Sequence, residues 1–172
     1  QPGEGGEAKQ ITRSPTGVTS YAWSRDGKHF AYTASDEAPR RAPNDDAFYA
    51  DENDYLMTKP AVPLHAWTIP AEGGDARRLT SGDWSINKIA SAIDWSADDA
   101  RVVFTNQPTA GSRALHRRAA GTVRVDGSGV TPIAGTALCS SQGFSPDGHW
   151  IGLICPVDGQ QKNQTELVAV PA

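Results

Sequence analysis

Three stretches of the chain repeat one short pattern, in which an aromatic residue is followed by Ser, a variable residue, Asp, and then Gly or Asp. They are YAWSRDGKHFAY at 21–32, SAIDWSADDARVVF at 91–104 and SQGFSPDGHWIGLI at 141–154. Alternating apolar residues flank each copy, which is typical of a strand, a tight turn and a second strand. Because internal repetition constrains the architecture before any single residue is interpreted, the chain is predicted to be repetitive and all-β.

The turns of these hairpins carry the expected residues. Asp26-Gly27 and Asp147-Gly148 combine an Asp that bonds its own backbone with a Gly that accepts positive φ, whereas the middle copy has the weaker Asp98-Asp99. A second alternating element follows each hairpin, at 65–80, 121–134 and 166–172. Its first two copies return through a glycine turn, so each unit is predicted to have four antiparallel strands, named A to D along the chain.

Four-stranded units of roughly 40 to 45 residues are typical of β-propeller blades. The predicted fold is therefore an all-β, partial β-propeller of about three four-stranded antiparallel blades. A polar leader at 1–8 precedes the propeller at 9–172, whose blades lie at about 13–80, 81–134 and 135–172. Blade 1 contains a proline-rich, acidic stretch at 36–63 without strand periodicity, which is predicted to be a long loop between strands B and C.

The two ends of the chain match internal segments. Residues 168–172 align with 67–71, so the third blade is predicted to lack its outer strand D, and residues 9–12 align with 77–80, so the chain is predicted to open with a D strand. Two explanations stay open. The chain is either a piece of a larger protein, or two copies exchange strands and close a ring, which predicts a homodimer through exposed blade edges.

Several of these motifs resemble a known family. The WSxDG hairpin, GGDARRLT at 73–80 and the run from Lys9 to Tyr32 resemble the TolB-like repeats in the N-terminal propeller of the prolyl oligopeptidase family of serine peptidases, which includes dipeptidyl and acylaminoacyl peptidases. DDAFYADENDYL at 45–56, followed by LHAWTIPAEGGDARRLTSGDWS at 64–85, is similar to bacterial members. The resemblance covers residues 9–172. Periplasmic TolB-type binding proteins share the repeat.

The resemblance implies a non-catalytic propeller that gates and selects peptide substrates for an α/β-hydrolase domain, which carries a G-x-S-x-G nucleophile elbow in that family. This chain has no G-x-S-x-G motif. Ser24, Ser96 and Ser145 occupy one repeated turn position, where a hydroxyl caps the hairpin. The chain alone is therefore predicted not to be an enzyme, and its expected partners are the hydrolase domain and peptide substrates. The alternative is a TolB-like protein-binding module with no enzymatic role.

The insertion supplies the candidate site. In an antiparallel blade, B-to-C loops and D-to-A connections emerge on one face, so the insertion is predicted to share a face with residues 81–88. Such a rim could attract a free amino group or a basic side chain, and in the dipeptidyl peptidase branch the resemblance implies that propeller carboxylates hold the substrate amine. The alternative is a solvated loop or a contact with the hydrolase domain. The predicted substrate-binding residues are Asp45, Asp46, Asp51, Glu52, Asp54 and Trp84.

Cys139 and Cys155 lie on the two strands of the third hairpin. In an antiparallel pair, facing residues have a constant index sum, and a register that pairs Phe144 with Trp150 also places the two cysteines opposite each other. They could form a disulfide, which would indicate an oxidising compartment. A one-residue slip would instead place them on opposite faces as two buried thiols.

The remaining residue types predict ordinary structural roles. Trp23, Trp95 and Phe144 are expected in blade cores, as are Trp67 and Trp150. The histidines are expected at the surface or at strand edges: His29, His65, His116 and His149. None has the i, i+4 spacing of a metal site, and the acidic insertion lacks the spacing of a calcium loop, so no metal or cofactor is expected.

Charge and hydropathy exclude other partners. The net charge is -4 and the pI is near 5.5. These values argue against a nucleic-acid partner, because nucleic-acid binding needs a basic stripe. The chain has no run of 18 apolar residues, so no membrane span is predicted. The first ten residues lack the build of a signal peptide, and a periplasmic or secreted location is favoured only slightly over the cytoplasm.

Overall fold

The computed structural model describes residues 7–40, 48–50, 56–57, 59–89, 92–160 and 164–172. Its strands, in chain order, are β1 (Ser20–Trp23), β2 (His29–Ser35), β3 (Tyr49–Ala50), β4 (Leu56–Met57), β5 (Leu64–Pro70), β6 (Arg77–Arg78), β7 (Ser85–Ile86), β8 (Asp94–Trp95), β9 (Arg101–Gln107), β10 (Ala119–Arg124), β11 (Val130–Pro132), β12 (Ser140–Phe144), β13 (Trp150–Pro156) and β14 (Thr165–Pro171).

These strands form three successive antiparallel sheets, which we call blades 1, 2 and 3. Blade 1 has the order β1-β2-β5-β6, blade 2 the order β11-β10-β9-β7 with β8 also on β9, and blade 3 the order β12-β13-β14. Strands β3 and β4 form a separate short hairpin within the insertion. The predicted all-β, partial propeller is confirmed, and three strands of the third blade lie in the part of the chain that the structure describes.

Blade 2 departs from the predicted strand pattern. Its inner strand is divided into β7 and β8, which pair with opposite ends of β9 through Ser85↔Gln107 and Asp94↔Val103. Residues 81–88 were predicted to be a connection, because two residues of strand between polar neighbours leave no period-two signal. A 3₁₀ turn at Ser112–Arg117 lies between β9 and β10.

The repeated Ser-x-Asp turn has the same hydrogen bonds in all three blades. In blade 1, the Ser24 hydroxyl donates to Asp26 Oδ1 at 2.7 Å and accepts from the His29 backbone N–H at 2.9 Å. Ser96 does the same with Asp98 and Arg101 in blade 2, and Ser145 does the same with Asp147 and Trp150 in blade 3. The three serines are thus structural, as their repetition predicts.

Apolar residues are buried between neighbouring blades. Trp95 and Phe104 of blade 2 pack with Ala31 and Ala66 of blade 1 in one core cluster. A second cluster joins blade 2 to blade 3; it contains Val103, Ala120, Cys139, Phe144, Ile151, Leu153 and Cys155. Blade 2 therefore packs one of its faces on blade 1 and the opposite face on blade 3.

Two of the predicted core aromatics are exposed. Trp95 and Phe144 are buried, but Trp23 is 52% exposed and Trp150 is 48% exposed. Both rings point away from blade 2, that of Trp23 on blade 1 and that of Trp150 on blade 3. The predicted core position is therefore wrong for Trp23 and Trp150, because neither ring is packed against a neighbouring blade within the described residues.

Cys139 and Cys155 form a disulfide, with a Cα–Cα distance of 4.2 Å. The register used to pair them in the sequence is wrong at Phe144, which faces Ile151 rather than Trp150. A bulge between Ser141 and Gly143 shifts the register by one residue, so the index sum that opposes the cysteines holds beyond it.

Candidate functional site

The face that carries the insertion has a groove between blades 1 and 2. The insertion hairpin pairs Tyr49 with Met57 and Ala50 with Leu56, and it lies beside the loop that follows β9. We call this depression, of about 400 Å³, the insertion groove. It is lined by Tyr49, Ala50, Met57, Pro60, Ala61, Pro63, Asp83, Thr109, Ala110 and Gly111. Where both segments are described, the insertion and residues 81–88 thus lie beside each other, as the blade topology predicts.

A second depression continues the insertion groove. It measures about 240 Å³ and shares Met57, Ala61, Ala110 and Gly111 with it, while Ile89 and Leu115 extend the lining. Ile89 is 87% exposed, and Phe48, at the start of the hairpin, is 61% exposed. Exposed apolar side chains beside a groove of small residues are typical of a surface that receives the apolar side chains of another molecule.

The predicted substrate-binding carboxylates lie outside the described residues: Asp45, Asp46, Asp51, Glu52 and Asp54. Trp84 is described, and it is half-buried rather than presented to the groove. Its ring is stacked on Phe104, with centroids 5.8 Å apart, and meets the edge of His65 at 5.6 Å. Trp84 therefore packs onto the core between blades 1 and 2, while the adjacent Asp83 lines the groove.

His65 is fully buried, so its predicted position at the surface or a strand edge is wrong. It lies on β5, and residues 80–84 close over it: Thr80 Oγ1 is 3.0 Å from Nδ1, and Trp84 covers the ring. Burial, followed by the nearby Arg78 guanidinium, lowers the pKa of His65, and the Asp36 carboxylate opposes that shift. The sequence carries no signal for this burial, because it depends on how the connection after β6 folds back.

The hydroxyl, imidazole and carboxylate of Thr80, His65 and Asp36 resemble a catalytic triad in composition, but their contacts are structural. Thr80 is buried, and its hydroxyl accepts a hydrogen bond from the Ala66 backbone N–H at 2.9 Å. Thr136 has the same role in blade 2, where it accepts from Ala120 N–H at 3.1 Å. Asp36 Oδ2 lies 3.7 Å from His65 Nε2, beyond hydrogen-bond distance. A buried hydroxyl held in this way cannot reach a substrate.

The described residues form neither a metal site nor a membrane-spanning helix. Within ranges 7–40, 48–50, 56–57, 59–89, 92–160 and 164–172, no three His, Cys, Asp or Glu side chains lie close enough to hold a metal ion. No helix in these same ranges is long and apolar enough to cross a membrane.

The arrangement of the blades is similar to that in solved propeller structures. TolB from Acinetobacter baumannii superposes with a TM-score of 0.54 at 16% identity, over 88% of this chain and 29% of that chain. The fold is that of a TolB-like propeller. A TolB structure from Agrobacterium tumefaciens matches with a TM-score of 0.46 at 17% identity, over 92% of this chain and 59% of that chain.

The TolB-like propeller described here spans less than two thirds of the length of either of these proteins. No family model matches the chain, and no curated protein matches it. The link to the prolyl oligopeptidase family that the sequence motifs predict is not shown by these structures.

Proposed function

We propose that this chain is part of a TolB-like propeller that binds a protein partner at the insertion groove and has no catalytic step of its own. The observation that carries the proposal is the groove itself, where Met57, and Ile89 in the depression that continues it, present exposed apolar surface beside small residues. Rigid blades that position a variable loop are a common way to build a binding surface.

The chemistry of the partner follows from the charges in the sequence of the insertion. The insertion contains five carboxylates within residues 45–54, and the chain as a whole carries a net charge of -4. A partner segment that combines an apolar side chain with Lys, Arg or a free amino group would complement both properties. The proposed role of Asp45, Asp46, Asp51, Glu52 and Asp54 is therefore electrostatic. Trp84 packs on the core between blades 1 and 2, next to Asp83, which lines the groove.

A role in a peptidase is a narrower hypothesis than protein binding in general. Selection of peptide substrates for an α/β-hydrolase domain remains a proposal that rests on the sequence motifs alone. The same groove would serve it, because a peptide with an apolar side chain and a free amino group has the chemistry proposed for the partner segment. Protein binding by the propeller needs no hydrolase domain, and the structural similarity to TolB supports that simpler function.

We further propose an oxidising compartment, such as the periplasm or the cell exterior, as the place of action. Its support is the disulfide between Cys139 and Cys155, which joins β13 to the residue that precedes β12, in the core between blades 2 and 3. Disulfides of this kind persist where glutathione and thioredoxin do not reduce them.

The proposal can be tested with a displayed library of random dodecapeptides, selected on the immobilised 172-residue chain. We expect enrichment of peptides with an apolar residue next to Lys or Arg. Affinity of a synthetic selected peptide should fall by about tenfold or more in Met57→Asp or Ile89→Asp, which corresponds to about 1.4 kcal/mol or more. Leu167→Ser, on blade 3 and outside the groove, is the matched control.

A quintuple variant with Asn or Gln at the five insertion carboxylates separates the electrostatic role from the apolar one. We expect it to weaken binding at low salt and to remove most of the salt dependence. Selected peptides whose affinity is unchanged in both groove variants would contradict the insertion groove as the binding site.

A further inference from the structure

A depression with basic side chains lies on the insertion face, where blade 2 meets blade 3. Its first wall is residues 116–119, at the start of β10, and its second wall is residues 133–138, between β11 and β12. These are a B-to-C loop and a D-to-A connection, which emerge on the same face of a blade as the insertion. We call this depression, of about 460 Å³, the arginine pocket. It is lined by His116, Arg117, Arg118, Ala119, Ile133, Gly135, Thr136, Ala137 and Leu138.

The arginine pocket is distinct from the insertion groove, although the two are neighbours. The 3₁₀ turn at Ser112–Arg117 separates them: Leu115 lines the depression that continues the insertion groove, whereas Arg117 lines the arginine pocket. The two sites share no lining residue. Their charges also differ, because the sequence of the insertion is acidic and the lining of the arginine pocket contains no Asp or Glu. The insertion face therefore offers a second site of opposite charge.

The guanidinium of Arg118 is held in place by two hydrogen bonds. Its Nη1 group donates to the Leu115 carbonyl at 3.1 Å, and its Nε–H donates to the Ser140 hydroxyl at 3.3 Å. Ser140 is the first residue of β12, so the side chain spans from blade 2 to blade 3. The Nη2 group has no hydrogen-bond partner among the residues that the structure describes. A guanidinium fixed in this way loses little conformational freedom when it binds a ligand.

The positive charge of Arg118 is not compensated within the fold. Burial lowers the pKa of Arg118, because removal from water disfavours the cation. In the part of the chain that the structure describes, neither Arg117 nor Arg118 forms an ion pair. Arg124, at the other end of β10, does pair, with Asp126 at 3.1 Å. A partly buried cation without an acidic partner costs free energy, which a bound anion would offset.

The second wall of the arginine pocket is held firmly against the first. Leu138 has a φ of 63°, a left-handed conformation that is uncommon for a bulky side chain, and its N–H donates to the Arg118 carbonyl at 2.8 Å. The Thr136 hydroxyl donates to the Ile133 carbonyl at 2.7 Å, and Cys139 forms the disulfide directly after Leu138. An unfavourable backbone conformation persists only where surrounding contacts enforce it. The pocket is therefore formed before any ligand binds.

The chemistry of the arginine pocket favours a single carboxylate over a polyanion. A planar guanidinium matches the two oxygens of a carboxylate, and apolar walls such as Ile133 and Leu138 strengthen a charge-assisted hydrogen bond by lowering the local dielectric. A nucleic acid would need a longer basic surface than Arg117 and Arg118 provide. The five carboxylates in the sequence of the insertion, on the same face, would also repel it.

We propose that the arginine pocket binds an Asp or Glu side chain of a protein partner, with the Arg118 Nη2 group and the Arg117 guanidinium as donors to the carboxylate oxygens. The side-chain methylenes of the bound residue pack on Ile133 and Leu138. The site takes a group of opposite charge to the one proposed for the insertion groove, and it does not depend on binding there.

The test is an NMR titration of the isotope-labelled 172-residue chain with the capped peptide acetyl-Ala-Glu-Ala-amide. The signals to follow are the Arg118 Nε–H and the backbone N–H groups of Gly135 and Leu138. We expect saturable shifts with a Kd on the order of 1 mM, as for one charged contact, and far smaller shifts with acetyl-Ala-Gln-Ala-amide. Neither peptide has a basic group or a large apolar side chain, so the result is independent of binding at the insertion groove.

Single variants assign the contact to the two arginines. Arg118→Gln should weaken binding of the Glu peptide by about tenfold, and Arg118→Lys, which keeps the charge but not the planar donors, by less. Arg117 is exposed, so Arg117→Gln should leave the fold intact and weaken binding by about threefold. Arg124→Gln is the matched control, because it removes the same charge at the opposite end of β10 and should bind like the unaltered chain.

Three results would overturn the proposal. The first is an equal response to the Glu and Gln peptides, and the second is unchanged affinity in both Arg117→Gln and Arg118→Gln. The third is a shift of the same signals by inorganic phosphate at a lower concentration than the Glu peptide requires, which would assign the pocket to a phosphate group instead of a carboxylate.

Discussion

The carboxylate of Asp99 accepts a hydrogen bond from the Arg25 backbone N–H at 2.6 Å, although the two residues lie in the turns of different blades. Its other oxygen accepts from the Asp26 N–H at 2.9 Å. Asp99 has a φ of 55°, in the left-handed region that Gly27 and Gly148 occupy in the other two turns. The middle turn thus accepts an unfavourable backbone conformation and obtains a direct link between blades 1 and 2.

Replacement of Asp99 by Gly should therefore destabilise the fold, even though Gly is the better residue for this backbone conformation. The change leaves two backbone N–H groups of blade 1 without their acceptor, and we expect a loss of about 1–2 kcal/mol in the free energy of unfolding. Urea denaturation is the measurement. Asp99→Asn keeps one acceptor oxygen and should lose less, whereas a Gly variant as stable as the unaltered chain would contradict the proposed link.

The hairpins illustrate how much the repeat predicts. The positions of Ser24, Ser96 and Ser145, and their structural role, follow from the sequence because local hydrogen bonds define these turns. The hydrogen bonds of Asp99 to the turn of blade 1 could not be predicted from the sequence in the same way. The sequence marks Asp98-Asp99 only as a weaker turn. The hydrogen bond from the Arg25 N–H to Asp99 forms only when two turns from distant parts of the chain come together.

The candidate site was predicted less completely, for the same reason. Alternation along a strand assigns Trp23, Trp150 and His65 to faces, but the neighbour on each face comes from tertiary packing, which buries His65 and leaves both Trp residues exposed. The insertion groove contains mostly Ala, Pro and Gly, residue types with no chemical signature. Only the shared face of the insertion and residues 81–88 could be derived from blade topology.

The three turn carboxylates should make stability depend on pH in the acidic range. The Lys28 N–H and the Ser24 hydroxyl lower the pKa of Asp26, and a serine hydroxyl followed by a backbone N–H lowers the pKa of Asp98 and of Asp147. A carboxyl group with a lower pKa in the folded state stabilises the fold above its unfolded pKa of about 3.9, and this contribution is lost as pH falls through the folded pKa.

Urea midpoints measured from about pH 6 down to pH 2 should consequently fall as the turn carboxylates become protonated. In Asp147→Asn the acid-induced decrease should be smaller than in the unaltered chain, because one of the three groups no longer titrates. Asp75→Asn, outside the turns, is the matched control. A decrease that is identical in the Asp147 variant would show that these turns do not contribute to acid sensitivity.

His65 should produce a separate pH dependence at higher pH. Burial lowers its pKa from 6.5, so the folded state prefers the neutral imidazole. The unfolded chain binds a proton more readily as pH falls below about 6.5, and stability should therefore be complete above that value and decrease toward the folded pKa. His65→Gln should flatten the dependence of the urea midpoint on pH between about pH 7 and pH 5; His149→Gln, at an exposed position, is the matched control. A His65 resonance in NMR that titrates at the pKa of a free imidazole would exclude this explanation.

The disulfide should contribute to stability mainly through blade 3. Cys139 and Cys155 join β13 to the segment that precedes β12, sixteen residues apart, and both pack in the core against blade 2. A cross-link that closes a loop of this length restricts the unfolded chain, so the Cys139→Ser, Cys155→Ser double variant should lose about 2–4 kcal/mol. Alkylation of the unfolded chain without reductant, followed by intact-mass measurement, should show no modified thiol, and with reductant it should show two. Two alkylated thiols without reductant would refute the disulfide, and with it the proposed oxidising compartment would lose its support.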